Sequence, residues 1–159
     1  MKSSIKKGFG FGLTSGIITT LGLIVGLNSS TGSGEVVMAG ILIIAIADAM
    51  SDALGMHISE ESTGKRSQLE VWESTLATFL AKLFFALSFI VPFLFLPLSG
   101  AVTVCIVWAV CLTIGFSYYI AREEKTSPSK VILEHLLITI FVILATHYVG
   151  EVVRKILLS

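Results

Sequence analysis

The stretch IADAMSDALGMHISEES, residues 46–62, sets two aspartates, Asp48 and Asp52, inside what otherwise reads as a membrane-crossing helix. An ionised carboxylate at the centre of such a helix costs roughly 2.5–3.5 kcal/mol on insertion scales. Some group has to offset that cost, and its identity bears on function. At helical spacing of i, i+3 and i+4, Asp48, Ser51, Asp52, Gly55, Met56 and Ser59 fall within one stripe. Glu60 continues the stripe past the apolar part of the run. Carboxylate oxygens with a thioether one turn further on suit a divalent transition metal better than a purely hard cation. The plainer alternative is that the aspartates are bonded to neighbouring hydroxyls.

Working outward, the chain is 54% hydrophobic and 14% charged, too apolar for the surface of a soluble domain of this length. Crossing a bilayer takes about 20 helical residues. Runs of that length cover 9–27, 36–57, 75–96, 100–121 and 131–150. The expected fold is therefore all-α: an integral, multi-pass membrane protein with a single transmembrane domain over residues 1–159. The first run follows the basic start MKSSIKK but lacks a small-x-small cleavage pattern, so it reads as a retained helix. Lys2, Lys6 and Lys7 precede it, Lys65 and Arg66 lie between the second and third runs, and Arg122, Lys125 and Lys130 lie between the fourth and fifth. The loops 28–35 and 97–100 have no basic residue, which predicts a cytoplasmic N-terminus. Net charge is zero, so no field points to nucleic acid. Cys105 and Cys111 lie in one apolar run without zinc-like spacing and read as small packing residues.

The first run carries Gly8, Gly12 and Gly16, then Gly22 and Gly26, each set repeating every four residues. Such spacing lets helix backbones approach closely in lipid. Two outcomes follow from it: packing on another helix of the same chain, or a homodimer interface through Gly8, Gly12 and Gly16. The third run contains Lys82, which an antiparallel hairpin brings to the level of Asp48 and Asp52, so that a salt bridge is geometrically allowed. In the 58–74 segment, Glu60 and Glu61 read either as a cytoplasmic entry for a cation or as a solvated loop. Glu134 and His135, and likewise His147 and Glu151, read as interfacial anchors.

Enzyme chemistry finds no footing. An aspartyl protease needs carboxylates facing each other across a peptide, whereas Asp48 and Asp52 follow one another on a single helix. HISEE lacks the second histidine of HExxH, and neither GxSxG nor a phosphate-binding loop occurs. No catalytic residue is assigned. A carrier fits better, because intramembrane carboxylates are neutralised in turn by protons or metal ions. The competing class is a non-transporting assembly or interaction protein in which the Asp48/Asp52–Lys82 cluster is structural.

LTSGIITTLGLIVGL in the first run, AGILIIAIADAMSDALGMHISEES in the second, FIVPFLFLP in the third and the closing HYVGEVV together resemble the vacuolar iron transporter family. That resemblance implies export of Fe²⁺ or Mn²⁺ from the cytosol coupled to protons, with the transported ion as cargo and no other cofactor. The family has an aspartate where this chain has Ser15, and Ser-Met then Gly-Glu where it has Ser51-Asp52 and Gly55-Met56. Acid and thioether thus exchange places one turn apart, and Asp48 stands in for the acid missing from the first helix. The 58–74 segment is too short for the metal-binding insertion that some members carry. The expected metal site is Asp48, Asp52 and Met56 with Ser51 and Ser15 as auxiliary oxygens and Lys82 as charge partner. The expected partners are a divalent metal ion, the lipid bilayer and a second copy of the chain.

Overall fold

The computed structural model describes residues 2–157. It is helical throughout, with no strand among the described residues: α1 (Ser3–Thr31), α2 (Gly34–Ser62), α3 (Gln68–Ser88), α4 (Val91–Phe95), α5 (Leu98–Glu123) and α6 (Pro128–Leu157). Five segments are long and apolar enough to cross a membrane: Ser3–Thr31, Gly34–Ser62, Gln68–Phe95, Leu98–Glu123 and Pro128–Ile156. Each apolar run of the sequence lies inside one of them, the third except for its last residue, Leu96. The helices outrun the apolar runs because their polar ends are capped or paired.

Local chemistry sets the boundaries. Thr31 ends α1 because Gly32 follows at φ +61, and Ser33 at once caps α2, its hydroxyl accepting from Val36 N at 3.3 Å. Gly64, at φ +62, makes the turn after α2. Ser67 and Glu70 then form a reciprocal capping box that starts α3. The third apolar run is not one regular helix. Pro92 has no N–H to give and its ring crowds the preceding turn. Accordingly α3 stops at Ser88, and the Phe89 and Ile90 amides tighten onto Ala86 and Leu87 carbonyls at 3.2 and 3.0 Å.

Two compact units are distinguished, one of Met1–Thr20 with Ile41–Ile90, the other of Leu21–Gly40 with Val91–Ser159. In the first, α1 and α3 run parallel at very close range. A Cβ on Gly8 would lie 2.1 Å from the Ser74 carbonyl oxygen, one on Gly12 2.4 Å from that of Thr78, and one on Gly16 3.1 Å from that of Lys82. Both partners advance four residues at a time, so glycine is required by contact, turn after turn. The Thr78 hydroxyl donates to the Gly8 carbonyl at 3.2 Å across this seam. Of the two outcomes the glycine spacing allowed, packing within the chain is what fills this face. α3 occupies the surface that the dimer expectation assigned to a second copy.

At the end of this unit where α1 begins, Lys2 Nζ donates to Glu73 Oε1 at 2.5 Å and the Ser4 hydroxyl to Glu73 Oε2 at 2.7 Å. The bond and the charge of Glu73 hold Lys2 above the usual lysine range.

In the second unit Gly22 and Gly26 serve α6 in the same way. A Cβ on Gly22 would meet Val142 and Thr146 methyls at 3.1 and 3.2 Å, and one on Gly150 would sit 2.4 Å from the Gly26 carbonyl oxygen. The Ser29 hydroxyl lies 2.6 Å from His147 Nδ1. α5 buries a four-residue ladder of small side chains, Ala101, Cys105, Ala109, Thr113, Ser117 and Ala121. Large apolar side chains point outward in both units, among them Ile43, Phe84, Phe95 and Phe141 at 68–79% exposure.

Candidate functional site

The offset for the two aspartates is Lys82. Its side chain is 1% exposed, and Nζ donates to Ser15 Oγ at 2.9 Å and to Asp52 Oδ2 at 2.5 Å. Asp48 Oδ2 is also 2.5 Å from Nζ, but off the hydrogen-bonding direction. That oxygen is buried and makes no hydrogen bond, so its contact is an ion pair alone. The two carboxylates are therefore not equivalent. Asp52 is held by charge and a directed bond, Asp48 by charge only. Three helices converge here: α1 through Ser15, α2 through both aspartates, and α3 through Lys82.

α1 makes room for this. Gly16 sits against Lys82 Cγ, where its Cβ would be only 3.4 Å away, so the lysine stem crosses a surface without side chain. Packing the stem against helix backbone while the head meets three oxygens is how a lysine tolerates full burial.

Along α2 the stripe read from the sequence divides in two. Ala45, Ala49, Ala53, Met56 and Glu60 are buried, and Asp48 and Asp52 flank that arc at 26% and 21% side-chain exposure. Ser51, Gly55 and Ser59 are exposed, and a Cβ on Gly55 would touch nothing within 4 Å. An i+3 step turns a helix about 60° short of a full turn and an i+4 step about 40° past it. A stripe assembled from both steps is wide enough to have an inner and an outer edge. Met56 falls inside, one turn below Asp52. Ser51 falls outside, a correction to its expected role as an auxiliary oxygen beside the aspartates. Ser15 is the auxiliary oxygen the structure brings to the cluster, although it is bonded to Lys82.

Glu60 is the second departure. Instead of lining an open mouth it is 1% exposed, with Oε1 paired to Lys7 Nζ and Oε2 to Arg66 Nε. Glu61 is exposed. The sequence reading missed Lys7 and Arg66 as partners because both lie in segments that read as solvated flanks. Their signal was the antiparallel register. Ser15 and Asp52 share one ammonium, and stepping eight residues down α1 and eight along α2 from them brings Lys7 level with Glu60.

His57 also went unassigned. Thr75 gives its one hydroxyl proton to the Val71 carbonyl at 2.8 Å, so the 3.1 Å contact with His57 Nδ1 has the imidazole as donor. The ring stands edge-on to Trp72 at 4.6 Å between centroids.

Among the described residues no three His, Cys, Asp or Glu side chains converge as a metal-binding group. The acids at this centre number two, Asp48 and Asp52, and an ammonium stands between them. Chemically, the arrangement is a buried cation site whose occupant is the chain's own lysine. An outside cation gains both carboxylates only where Nζ gives them up. No family model matches the chain, and no curated protein matches it.

Proposed function

We propose that the protein is a multi-pass membrane carrier for a divalent transition-metal cation of the Fe²⁺/Mn²⁺ class, moving it away from the side on which the N-terminus lies. The supporting observation is the fully buried Lys82 bound to two carboxylates at the middle of apolar helices. Intramembrane ionisable groups that face a helix interior mark ion pathways more often than they mark mere packing. The outward-facing aromatic and aliphatic side chains of both units suit lipid. Asp48 and Asp52 are the cargo's carboxylate ligands and Met56 its thioether, while Lys82 is the internal competitor that holds the site when cargo is absent. Resemblance to the vacuolar iron transporter family adds the expectation of proton exchange. All of these ligands come from one chain, so this reading needs no second copy at the glycine seam.

A second reading has an observation of its own. The Lys82 ammonium meets three oxygens, donating to those of Ser15 and Asp52 and ion-pairing with that of Asp48. A cluster matched so closely could be purely structural, in a membrane protein that assembles with partners and transports nothing.

The deciding experiment is a flux screen in proteoliposomes with Fe²⁺, Mn²⁺, Co²⁺, Zn²⁺ and Ca²⁺. Asp52→Asn is expected to abolish flux and Asp48→Asn to weaken it severely, because borderline divalent ions need both ligand count and charge. Unaltered flux in the double variant refutes the site.

A further inference from the structure

Glu60 lies two helical turns beyond Asp52 on the buried arc of α2, with Met56 between them, roughly 12 Å along the axis at 1.5 Å per residue. Its carboxylate is wholly covered, one oxygen by Lys7 from α1 and the other by Arg66 from the α2–α3 turn. The two cations are themselves partly exposed, Lys7 at 49% and Arg66 at 21%. The carboxylate therefore sits beneath a positively charged cover.

Charge signs differ between the two clusters. Two carboxylates and one ammonium give the Asp48–Asp52–Lys82 cluster a formal −1. One carboxylate, one ammonium and one guanidinium give the Glu60 cluster a formal +1. A cation travelling along this face of α2 from the α1-start end meets a repelling group before it reaches an attracting one.

We propose that Lys7, Glu60 and Arg66 are the closed state of a charge gate, which admits a cation to Asp52 when the pairs on Glu60 part. The proposal rests on the carrier reading above and names how access to that site is controlled. Arg66 belongs to a short turn whose Gly64 stands at φ +62, so it can swing away without unwinding α2 or α3. The start of α1 stays fastened meanwhile, because Lys2 and Ser4 bind Glu73 of α3 independently of Glu60. Once uncovered, Glu60 offers the first carboxylate on the path, and Met56 and Asp52 follow at one-turn intervals. Removing one partner of a buried pair weakens closure without deleting the cargo ligands above it.

The test reads access. Ala53 is buried on α2 beside Asp52 and is no ligand. Ala53→Cys is placed in the full chain with Cys105→Ala and Cys111→Ala, reconstituted in liposomes and treated with a small cationic methanethiosulfonate. Labelling is expected to be slow with the gate intact and about tenfold faster in Arg66→Gln and in Lys7→Gln, each of which removes one repelling charge, the change that ~1.4 kcal/mol of lost closure produces. Arg66→Lys, which keeps the charge, is expected to restore slow labelling. Ala109→Cys, buried in α5, serves as the monitor of general loosening and is expected to stay slow throughout. The gate is overturned if Arg66→Gln and Lys7→Gln leave Ala53→Cys labelling unchanged, if Arg66→Lys labels as fast as Arg66→Gln, or if Ala109→Cys accelerates in step. Labelling needs no flux. Absence of Mn²⁺ flux in the unaltered protein sinks the carrier reading, whereas the gate is judged by the labelling rates.

Discussion

Lys82 is where the carrier and structural readings separate. Lys82→Met keeps most of the stem and removes the ammonium, leaving two carboxylates one turn apart on α2 without a counter-ion. Breaking a buried pair in this way costs about 3–5 kcal/mol. Both aspartates are roughly a quarter exposed, which puts the expected loss toward the lower end. If cargo and Lys82 compete for the same oxygens, Mn²⁺ binds the variant more tightly than the unaltered protein and recovers much of the lost stability. Thermal unfolding with and without Mn²⁺ reads this directly, and a destabilised variant indifferent to the metal favours the structural reading. Lys82 and its level relative to the aspartates were legible in the sequence, because helical rise and an antiparallel hairpin are enough to align them. The inequivalence of Asp48 and Asp52 was not. It depends on the direction of approach of one nitrogen, which no spacing rule encodes.

Between helices, the glycines of α1 and α2 do different work. A Cβ at Gly12 would lie 2.4 Å from the Thr78 carbonyl oxygen, a backbone atom that cannot turn aside. Gly12→Ala therefore forces α1 and α3 apart and is expected to cost about 1–3 kcal/mol, as overpacking does. Gly55 meets nothing within 4 Å, so Gly55→Ala adds only helix propensity, a gain of roughly 0.5–1 kcal/mol. Denaturation of the two variants side by side should move midpoints in opposite directions; a shared direction would mean that the α1–α3 seam is not as close as described. The four-residue spacing marked both glycine sets of α1, Gly8 to Gly16 and Gly22 to Gly26, as close-packing candidates. It did not say which helix answers it, since a glycine stripe on the same chain's α3 and one on a second copy look identical in sequence. The break at Pro92 was similarly half visible: the proline is plain, but the apolar run continues through it and conceals the end of α3 at Ser88.

At the scale of the whole chain, hydropathy carries most of the information. Five apolar runs correspond to five segments able to span a membrane, because twenty apolar residues in lipid have little choice but to form a helix. The basic residues then predict sidedness. Cysteines introduced at Lys65 and at Ser33, in successive turns, should react with an impermeant thiol reagent from opposite faces of sealed vesicles, with Lys65→Cys on the N-terminal side. Reaction from the same face would remove one crossing and with it the proposed topology. What hydropathy cannot register is the grouping of these helices into two compact units, whose borders at Thr20 and Gly40 fall inside α1 and α2. Nothing in composition changes at those positions.

The opposite formal charges of the two clusters on α2 have an electrical consequence. One elementary charge carried across the full hydrocarbon core does work of about 2.3 kcal/mol per 100 mV. A separation of roughly 12 Å is about two fifths of a ~30 Å core. A membrane voltage therefore acts on this pair of charges with about 1 kcal/mol per 100 mV, nearly a fivefold bias on any equilibrium that moves one charge through that separation. A potential negative on the N-terminal side draws Lys7 and Arg66 outward and drives the aspartate cluster the other way. Voltage thereby becomes a second input to the proposed gate.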